Sequence, residues 1–323
     1  MKLSIVATLY QSAPYIQDFH RRAAAAARQL VGDDYEIVLV NDGSPDDSLE
    51  RAIALCEADP HVIVVDLSRN FGHHKAMMTG LAHACGEHVF LIDSDLEEEP
   101  EWLSGFADQM ASMGCDVVYG VQQQRRGGLF ERWSGRLYYS LFRLLTGMAI
   151  PQNIVTARLM SRRYVKALLR HEEREVNIGG LWHITGFDQQ AQGVTKHSSS
   201  ETTYTLRRKL KVLIDSVTAF SNLPLIAIFY FGVCIFLGAA CYTTYLVINY
   251  LVINKPFDGY TSIMASIWLL GGLIISFTGV IGIYLSRIFS ETKRRPYTIV
   301  RQVYRTGELS EESSPMNKEQ TCL

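Results

Sequence analysis

Six carboxylates follow an apolar run in the stretch FLIDSDLEEEPEWL (Phe90–Leu103), and they fall within nine consecutive positions. Like charges at that density repel one another unless a cation lies among them. An Asp-x-Asp pair at the end of a strand offers hard oxygen ligands that suit Mg²⁺ or Mn²⁺. Magnesium prefers one or two carboxylates together with phosphate oxygens, so the pattern predicts a metal site for a phosphorylated ligand. The residues assigned to the metal are Asp93, Asp95 and Glu97.

The remaining acids of this stretch have a simpler interpretation. Pro100 can begin the next helix, and acids near a helix N-terminus interact favourably with its dipole. We therefore assign Glu98, Glu99 and Glu101 to a solvated acidic loop.

The elements that must position these acids come from an alternation of apolar runs and helical patterns. Five runs read as strands: LSIVATLY, YEIVLVND, HVIVVDLS, HVFLID and DVVYGV. Strands that alternate with helices predict an α/β fold with a mainly parallel, Rossmann-like sheet, and nearly continuous apolar strands fit a sheet covered on both faces. Ligands of such sheets bind at the carboxyl ends of the strands.

Polar residues stand at those strand ends and suggest a nucleotide pocket on the same edge as Asp93. The sequence has no GxGxxG after its first strand and no GxxxxGK[ST], so a dinucleotide fold and a P-loop are not supported. For VNDGS the alternative is a turn in which Ser44 or Asp46 caps the next helix. The strand-end residues assigned to the nucleotide ligand are Tyr10, Asp42, Ser68, Arg69, Asn70 and Asp93.

Two long segments, Leu223–Ile253 and Gly259–Ser286, contain no charged residue. About 20 helical residues cross a hydrocarbon core of about 30 Å, so both are predicted to span a membrane. Basic clusters lie before the first segment and after the second, which places both ends in the cytoplasm under the positive-inside rule. The predicted organisation is a cytoplasmic catalytic domain (1–202), an amphipathic interfacial helix (203–222), transmembrane helices (223–253 and 260–286) and a cytoplasmic tail (287–323) with a disordered end.

The overall composition excludes some functions. The 323-residue chain has a formal net charge of -2, which gives no signature of nucleic-acid binding. Its six cysteines show no CxxC spacing typical of a zinc site.

An ordered set of motifs resembles the family 2 glycosyltransferases of the polyprenyl-phosphate type. The motifs are VNDGS, LSRNFGHHKA, IDSDLEEEPEW, ARLMSRRYVKALL, GGLWHITGF and AFSNLPL, and they cover nearly the whole chain. This group includes dolichol-phosphate mannose synthases, bactoprenol glucosyltransferases and undecaprenyl-phosphate formamidoarabinose transferases. The resemblance implies a GT-A domain followed by a transmembrane hairpin in the inner (cytoplasmic) membrane.

The resemblance also implies a reaction. A nucleotide-diphosphate sugar would give its sugar, with inversion, to undecaprenyl or dolichyl phosphate among the membrane lipids. Asp42 would contact the base or ribose, while Asp93 and Asp95 would hold Mg²⁺ or Mn²⁺ against the diphosphate. His73 and His74 are assigned to the helix surface, with approach to the diphosphate as the alternative. A homo-oligomer is compatible with the sequence.

The anionic head of the acceptor needs cations, and arginine forks suit phosphate. The alternative for each arginine is contact with anionic lipid headgroups. Arg126, Arg136 and Arg158 are assigned catalytic roles together with the two aspartates. The residues assigned to the acceptor phosphate are Arg126, Arg132, Arg136 and Lys196.

The chain departs from the family pattern at two places near the acids. Glu97 stands where a glutamine is usual, and IVTARLM stands where an acid commonly precedes Phe-Arg-Leu, which leaves no obvious general base. Two alternative functions follow: a membrane glycosyltransferase that elongates another glycan or lipid, or a degenerate protein that binds nucleotide without turnover. The first would normally carry a QxxRW motif, and the sequence has only FERW.

Overall fold

The computed structural model describes residues 2–122, 144–145, 153–173, 178–196, 217, 221, 223–253 and 259–306. Its strands are β1 (Leu3–Leu9), β2 (Tyr35–Asn41), β3 (Val62–Leu67), β4 (His88–Leu91), β5 (Val117–Gln122), β6 (Ile154–Ser161), β7 (Gln189–Val194) and β8 (Val300–Tyr304). Its helices are α1 (Ile16–Val31), α2 (Ser48–Ala58), α3 (His73–His83), α4 (Trp102–Met113), α5 (Arg162–Leu168), α6 (Ile178–Ile184), α7 (Leu223–Ile253) and α8 (Tyr260–Thr292).

The strands form one mixed sheet in the order β7-β5-β6-β4-β1-β2-β3-β8. The neighbours β4, β1, β2 and β3 run parallel, as do β5 and β7. This confirms the predicted α/β fold and all five predicted strands. The strands β6 and β8 run antiparallel to their neighbours, and none of β6, β7 and β8 was predicted.

Burial explains why the parallel strands form. Every residue of β1, β2 and β3 is buried, as expected for strands that carry helices on both faces of the sheet. One helix, α1, places Phe19, Ala23 and Ala27 on a single face at intervals of four residues, and all three are fully buried. The small alanine side chains let this helix approach the sheet closely.

The sheet and α1–α6 belong to one compact unit, and α7 and α8 belong to a second. Both predicted transmembrane segments are helical in the structure. Among the described residues, one segment, Leu270–Thr292 of α8, is long and apolar enough to cross a membrane, while the apolar segment Leu223–Ala239 of α7 is shorter. The two-span topology therefore stays a prediction.

The C-terminal boundary differs from the sequence-based expectation. Residues 287–323 were assigned to a tail, yet α8 continues to Thr292 and β8 joins the edge of the sheet beside β3. The predicted interfacial helix, 203–222, and the predicted disordered end lie almost wholly outside the described residues.

Asp46 holds two loops together at the start of α2. Its carboxylate accepts hydrogen bonds from the Ser48 hydroxyl (2.6 Å), the Ala13 backbone N–H (3.2 Å) and the Ser44 hydroxyl. Burial opposes ionisation, but the hydrogen bonds from Ser44 and Ser48 outweigh it and lower the pKa of Asp46 to about 2. The alternative interpretation of VNDGS as a turn agrees with these contacts, but the N-cap residue of α2 is Asp47, which makes no side-chain capping hydrogen bond.

A carboxyl group whose pKa is lower in the folded chain than its unfolded value of about 3.9 stabilises the fold above that pH and loses this contribution as the pH falls. We expect Asp46→Asn to lower the free energy of unfolding by about 1 kcal/mol at neutral pH. The difference from wild type should shrink as the pH falls from about 4 towards the folded pKa of about 2. Thermal unfolding of both proteins across that range measures it, and a constant difference would contradict the assignment.

Candidate active site

The carboxyl ends of β1, β2, β3 and β4 bring the predicted strand-end residues to one edge of the sheet. Side-chain hydrogen bonds join the elements at this edge: the Ser12 and Ser94 hydroxyls, after β1 and β4, lie 3.0 Å apart, and Thr8 Oγ1 of β1 lies 3.0 Å from Nδ1 of His73, the first residue of α3. The acids after β4 and the loops after β2 and β3 therefore share one site, which we call the donor edge (residues 10–12, 41–44, 66–73 and 93–98).

The side chain of Asp93 is held at this edge by two neighbouring side chains. Its Oδ2 accepts a hydrogen bond from Thr156 Oγ1 (2.8 Å), and its Oδ1 lies 3.2 Å from His73 Nε2. Burial would raise the pKa of Asp93, but His73 and Thr156 outweigh it and hold the pKa below its ordinary value. In turn, burial would lower the pKa of His73, and the neighbouring Asp93 raises it. His73 thus lies beside Asp93, and its approach to a diphosphate, the alternative assignment, stays a prediction.

Asp95 and Glu97 lie on a sharp bend after β4. Leu96, between them, has φ +59°, which is uncommon for a leucine and marks local backbone strain. The Glu97 backbone N–H donates to Asp95 Oδ1 (3.0 Å), which fixes the bend. Partial burial, with the nearby charge of Asp93, raises the pKa of Asp95.

Glu98 contradicts its assignment to a solvated loop. The residue is fully buried, and its two carboxylate oxygens accept hydrogen bonds from the backbone N–H groups of Thr156 (3.0 Å) and Ala157 (2.8 Å). Burial and the charge of Asp93 raise the pKa of Glu98 to about 7. Glu98 therefore clamps the start of β6 onto the acidic loop, a role that the sequence did not indicate because β6 itself was not predicted.

The other two acids of the loop behave as predicted, at the helix start. Glu101 forms an exposed, two-pronged ion pair with Arg22, with donor–acceptor distances of 2.8 and 2.6 Å. Glu99 accepts a hydrogen bond from Trp102 Nε1 (3.2 Å) in the first turn of α4.

Lys196 lies among the acids. Its Nζ is 3.1 Å from Glu97 Oε2 and 3.6 Å from Glu98 Oε1. Burial would lower the pKa of Lys196, but Glu98 and Glu97 raise it, so the side chain supplies a positive charge at this edge. Its assignment to the acceptor phosphate stays a prediction.

The carboxylates of the donor edge fit a divalent cation that a phosphorylated ligand helps to hold. Within the described residues, no group of three or more His, Cys, Asp or Glu side chains forms a complete metal cage. Asp93 Oδ1 is buried with His73 Nε2 as its counter-charge at 3.2 Å, and Asp95 lies two residues away on the bend. Magnesium with one or two carboxylates and several phosphate or water oxygens matches such an arrangement.

Asp42 holds the loop that follows β3. Its carboxylate is buried and accepts hydrogen bonds from the backbone N–H groups of Phe71 (2.7 Å) and Gly72 (3.0 Å). Burial raises its pKa. Both oxygens are therefore used within the protein, and direct contact with a base or ribose stays a prediction.

Of the other residues assigned to the nucleotide, Tyr10 is exposed, and Arg69 lies over the Phe71 ring, 4.1 Å from its centroid.

The assigned arginines have different outcomes. Arg158 is fully buried, with its guanidinium over the indole ring of Trp182, and burial lowers its pKa to about 9. In this position it does not reach solvent, so contact with an acceptor phosphate would require a rearrangement. Arg126, Arg132 and Arg136 lie outside the described residues, and their roles stay predictions.

Comparison with known proteins decides the family. The model of the family described as "Glycosyl transferase family 2" matches residues 4–169, which include every strand end of the donor edge. The chain belongs to glycosyl transferase family 2. This confirms the family that the sequence resembles and agrees with the GT-A-like α/β fold that the family implies, while the polyprenyl-phosphate type stays a prediction.

Two sequences and one solved structure are similar to this chain. A Mycobacterium tuberculosis protein described as one of the glycosyltransferases, without a stated substrate, is 48% identical over 98% of this chain and 92% of its own length. An undecaprenyl-phosphate 4-deoxy-4-formamido-L-arabinose transferase of Salmonella dublin is 29% identical over 98% of this chain and 97% of its own. The crystal structure of a glucosyl-3-phosphoglycerate synthase from M. tuberculosis, in complex with phosphoglyceric acid, aligns with a TM-score of 0.48 at 19% identity and covers 69% of this chain and 81% of that one.

Proposed function

We propose that this family 2 glycosyltransferase transfers a sugar from a nucleotide-sugar donor to a polyprenyl phosphate, undecaprenyl or dolichyl, at the cytoplasmic face of the membrane. The observation that carries the proposal is the pair Asp93 and Asp95 on the donor edge, with positive side chains beside them. The similarity to the undecaprenyl-phosphate transferase spans 98% of the chain and so includes α7 and α8, which supports a lipid acceptor.

The donor would bind along the donor edge. Asp42 orders the loop after β3 through Phe71 and Gly72, and so shapes the nucleotide pocket. Asp93 and Asp95, with Glu97, would hold Mg²⁺ or Mn²⁺ there. When bound, such an ion neutralises charge on the departing nucleoside diphosphate.

The nucleophile in this reaction is an oxygen of the acceptor phosphate. It forms a bond to the anomeric carbon of the sugar while the bond from that carbon to the diphosphate oxygen breaks, with inversion. A phosphate monoester is largely ionised at pH 7, so the step does not require a strong general base. This agrees with the IVTARLM segment, which offers no acid as a general base and whose Thr156 hydroxyl is occupied with Asp93.

The membrane placement is part of the proposal. We infer that α7 and α8 form a hairpin whose two ends lie in the cytoplasm, because RRKLK precedes the first helix and KRR follows the second. The catalytic domain would then lie in the cytoplasm, where nucleotide sugars are available. Arg126, Arg132, Arg136 and Lys196 would meet the acceptor phosphate.

A transfer assay with the full chain in detergent tests this function. We expect label from one member of a panel of radiolabelled sugar nucleotides to enter the organic phase when undecaprenyl phosphate is present. The label should require Mg²⁺ or Mn²⁺ and should disappear with EDTA, because the carboxylates alone repel a diphosphate.

One control and one contrary outcome make the assay decisive. Omission of undecaprenyl phosphate should abolish the organic-phase label, which excludes transfer to detergent or copurified lipid. If every donor failed while nucleotide still bound to the protein, the polyprenyl-phosphate acceptor would be wrong, and a different acceptor or a binding-only protein would replace it.

A further inference from the structure

The strand that follows the membrane-associated helices lies next to the donor edge. β8 pairs antiparallel with β3, so that Asp66 faces Gln302 and Leu67 faces Val300, with an irregular register between them. The Ser68 backbone N–H donates to Ile299 O (2.9 Å), which extends the contact past the end of β3. The C-terminal segment is thereby fastened to the loop that begins at Ser68.

One side chain of this strand, Arg301, bridges two elements of the donor edge. Its Nη1 lies 3.2 Å from Asp66 Oδ2, and its Nη2 donates to the backbone carbonyl of Ser68 (2.8 Å). Asp66 is 1% exposed, whereas the Arg301 side chain is 57% exposed. An exposed guanidinium therefore compensates a buried carboxylate, and a buried carboxylate without a cation is strongly unfavourable.

Asp66 is also connected, through Asn41, to the loop after β2. Its Oδ1 accepts a hydrogen bond from Asn41 Nδ2 (2.8 Å), and Asn41 Oδ1 accepts one from the Ser44 backbone N–H (3.2 Å). The ion pair of Arg301 with Asp66 and these two hydrogen bonds thus connect β8 to the turn that contains Asp42.

The loops after β2 and β3 pack tightly against each other at Gly43. Gly43 has φ +58°, and a Cβ there would lie 2.4 Å from Asn70 N and 2.5 Å from the carbonyl carbon of Arg69. Asp42 holds the same loop through Phe71 N–H and Gly72 N–H. A shift of either loop therefore displaces the other, and Arg301 holds both from the far side of β3.

We propose that Arg301 is a positioning residue for the nucleoside diphosphate part of the donor. It acts through Asp66 and the Ser68 carbonyl and keeps the loops 41–44 and 68–72 in the arrangement that receives the nucleotide. The inference rests on the proposed donor site. It gives the strand after the membrane helices a part in donor binding, where the sequence had indicated only a tail.

The chain offers a matched control for this proposal. Arg163 also pairs an exposed guanidinium (70% exposed side chain) with a buried carboxylate, that of Asp116 (5% exposed), and its Nη2 lies 2.8 Å from Asp116 Oδ2. This pair lies beside the last residue of β6, opposite the amino end of β4 and away from the donor edge. A purely structural role predicts the same behaviour for both arginines.

The test is titration of the full chain in detergent with UDP, GDP and dTDP, each with Mn²⁺, by isothermal calorimetry. We expect Arg301→Ala to raise the Kd of the nucleotide that binds wild type by about tenfold. Arg301→Lys should recover part of that loss because it restores the charge beside Asp66. The Arg163→Ala variant should bind as wild type does, although both alanine variants should unfold at a lower temperature.

The outcomes separate this inference from the proposed function. If wild type binds a nucleotide and Arg301→Ala binds it equally well, the positioning role is wrong while the donor site stands. Equal weakening in Arg301→Ala and Arg163→Ala would also overturn the role, because loss of stability would explain both. If wild type binds none of the three nucleotides, the donor site itself is refuted, and the inference falls with it.

Discussion

Asp95→Asn is expected to lower the rate of sugar transfer by about a hundredfold or more, since it removes a charge that would hold the metal against the diphosphate. The substitution preserves shape: an asparagine oxygen can still accept the hydrogen bond from the Glu97 N–H that fixes the bend after β4. Organic-phase label measures transfer, and electron paramagnetic resonance of Mn²⁺ measures metal binding by the same protein. Both should fall together.

Glu101→Gln is the matched control for Asp95→Asn, because it removes a carboxylate from the same acidic stretch at a site bound to Arg22 on the surface. It should leave transfer within about twofold of wild type, as exposed ion pairs contribute little. Full transfer by Asp95→Asn, or an equal loss in both variants, would contradict the assignment of Asp95 to the metal.

The parallel strands β1 to β4 were predictable because their signal is local. The residues of β1, β2 and β3 are wholly buried. Nearly continuous apolar runs predict such strands even when the neighbouring strands are not known. The antiparallel strands give weaker signals. β8 reads VRQVY after a helix that looks like the end of a membrane hairpin, and its place in the sheet depends on β3, more than 230 positions earlier.

The same distinction applies to the candidate site. Asp93 and Asp95 were found because a strand end and two acids are adjacent in sequence. Glu98 was missed because its partners, the Thr156 and Ala157 N–H groups, lie 58 and 59 residues away on an unpredicted strand. The contact of His73 with Asp93 was not predicted because it requires α3 to begin beside the end of β4. Long-range contacts of this kind carry no local pattern.

Glu98→Ala should be the most destabilising single change at the site. It would leave two buried backbone N–H groups without acceptors and would remove a charge near Lys196, and loss of one partner from such a buried set costs about 3 kcal/mol. The midpoint of thermal unfolding should fall by roughly 5–10 °C for a chain of this size. Differential scanning fluorimetry of the full chain in detergent measures the change.

Two further variants show whether the clamp itself is responsible. Glu101→Ala removes an exposed glutamate of the same stretch and should cost less than about 1 kcal/mol. Glu98→Gln keeps the volume and one acceptor oxygen, so its unfolding midpoint should lie between those of wild type and Glu98→Ala. Equal midpoints for Glu98→Ala and Glu101→Ala would contradict the clamp. If the midpoints fall in the order wild type, Glu98→Gln, Glu98→Ala, the rate of sugar transfer should fall in the same order. Glu98 fixes Thr156, whose hydroxyl holds Asp93 in the orientation that a metal diphosphate would require.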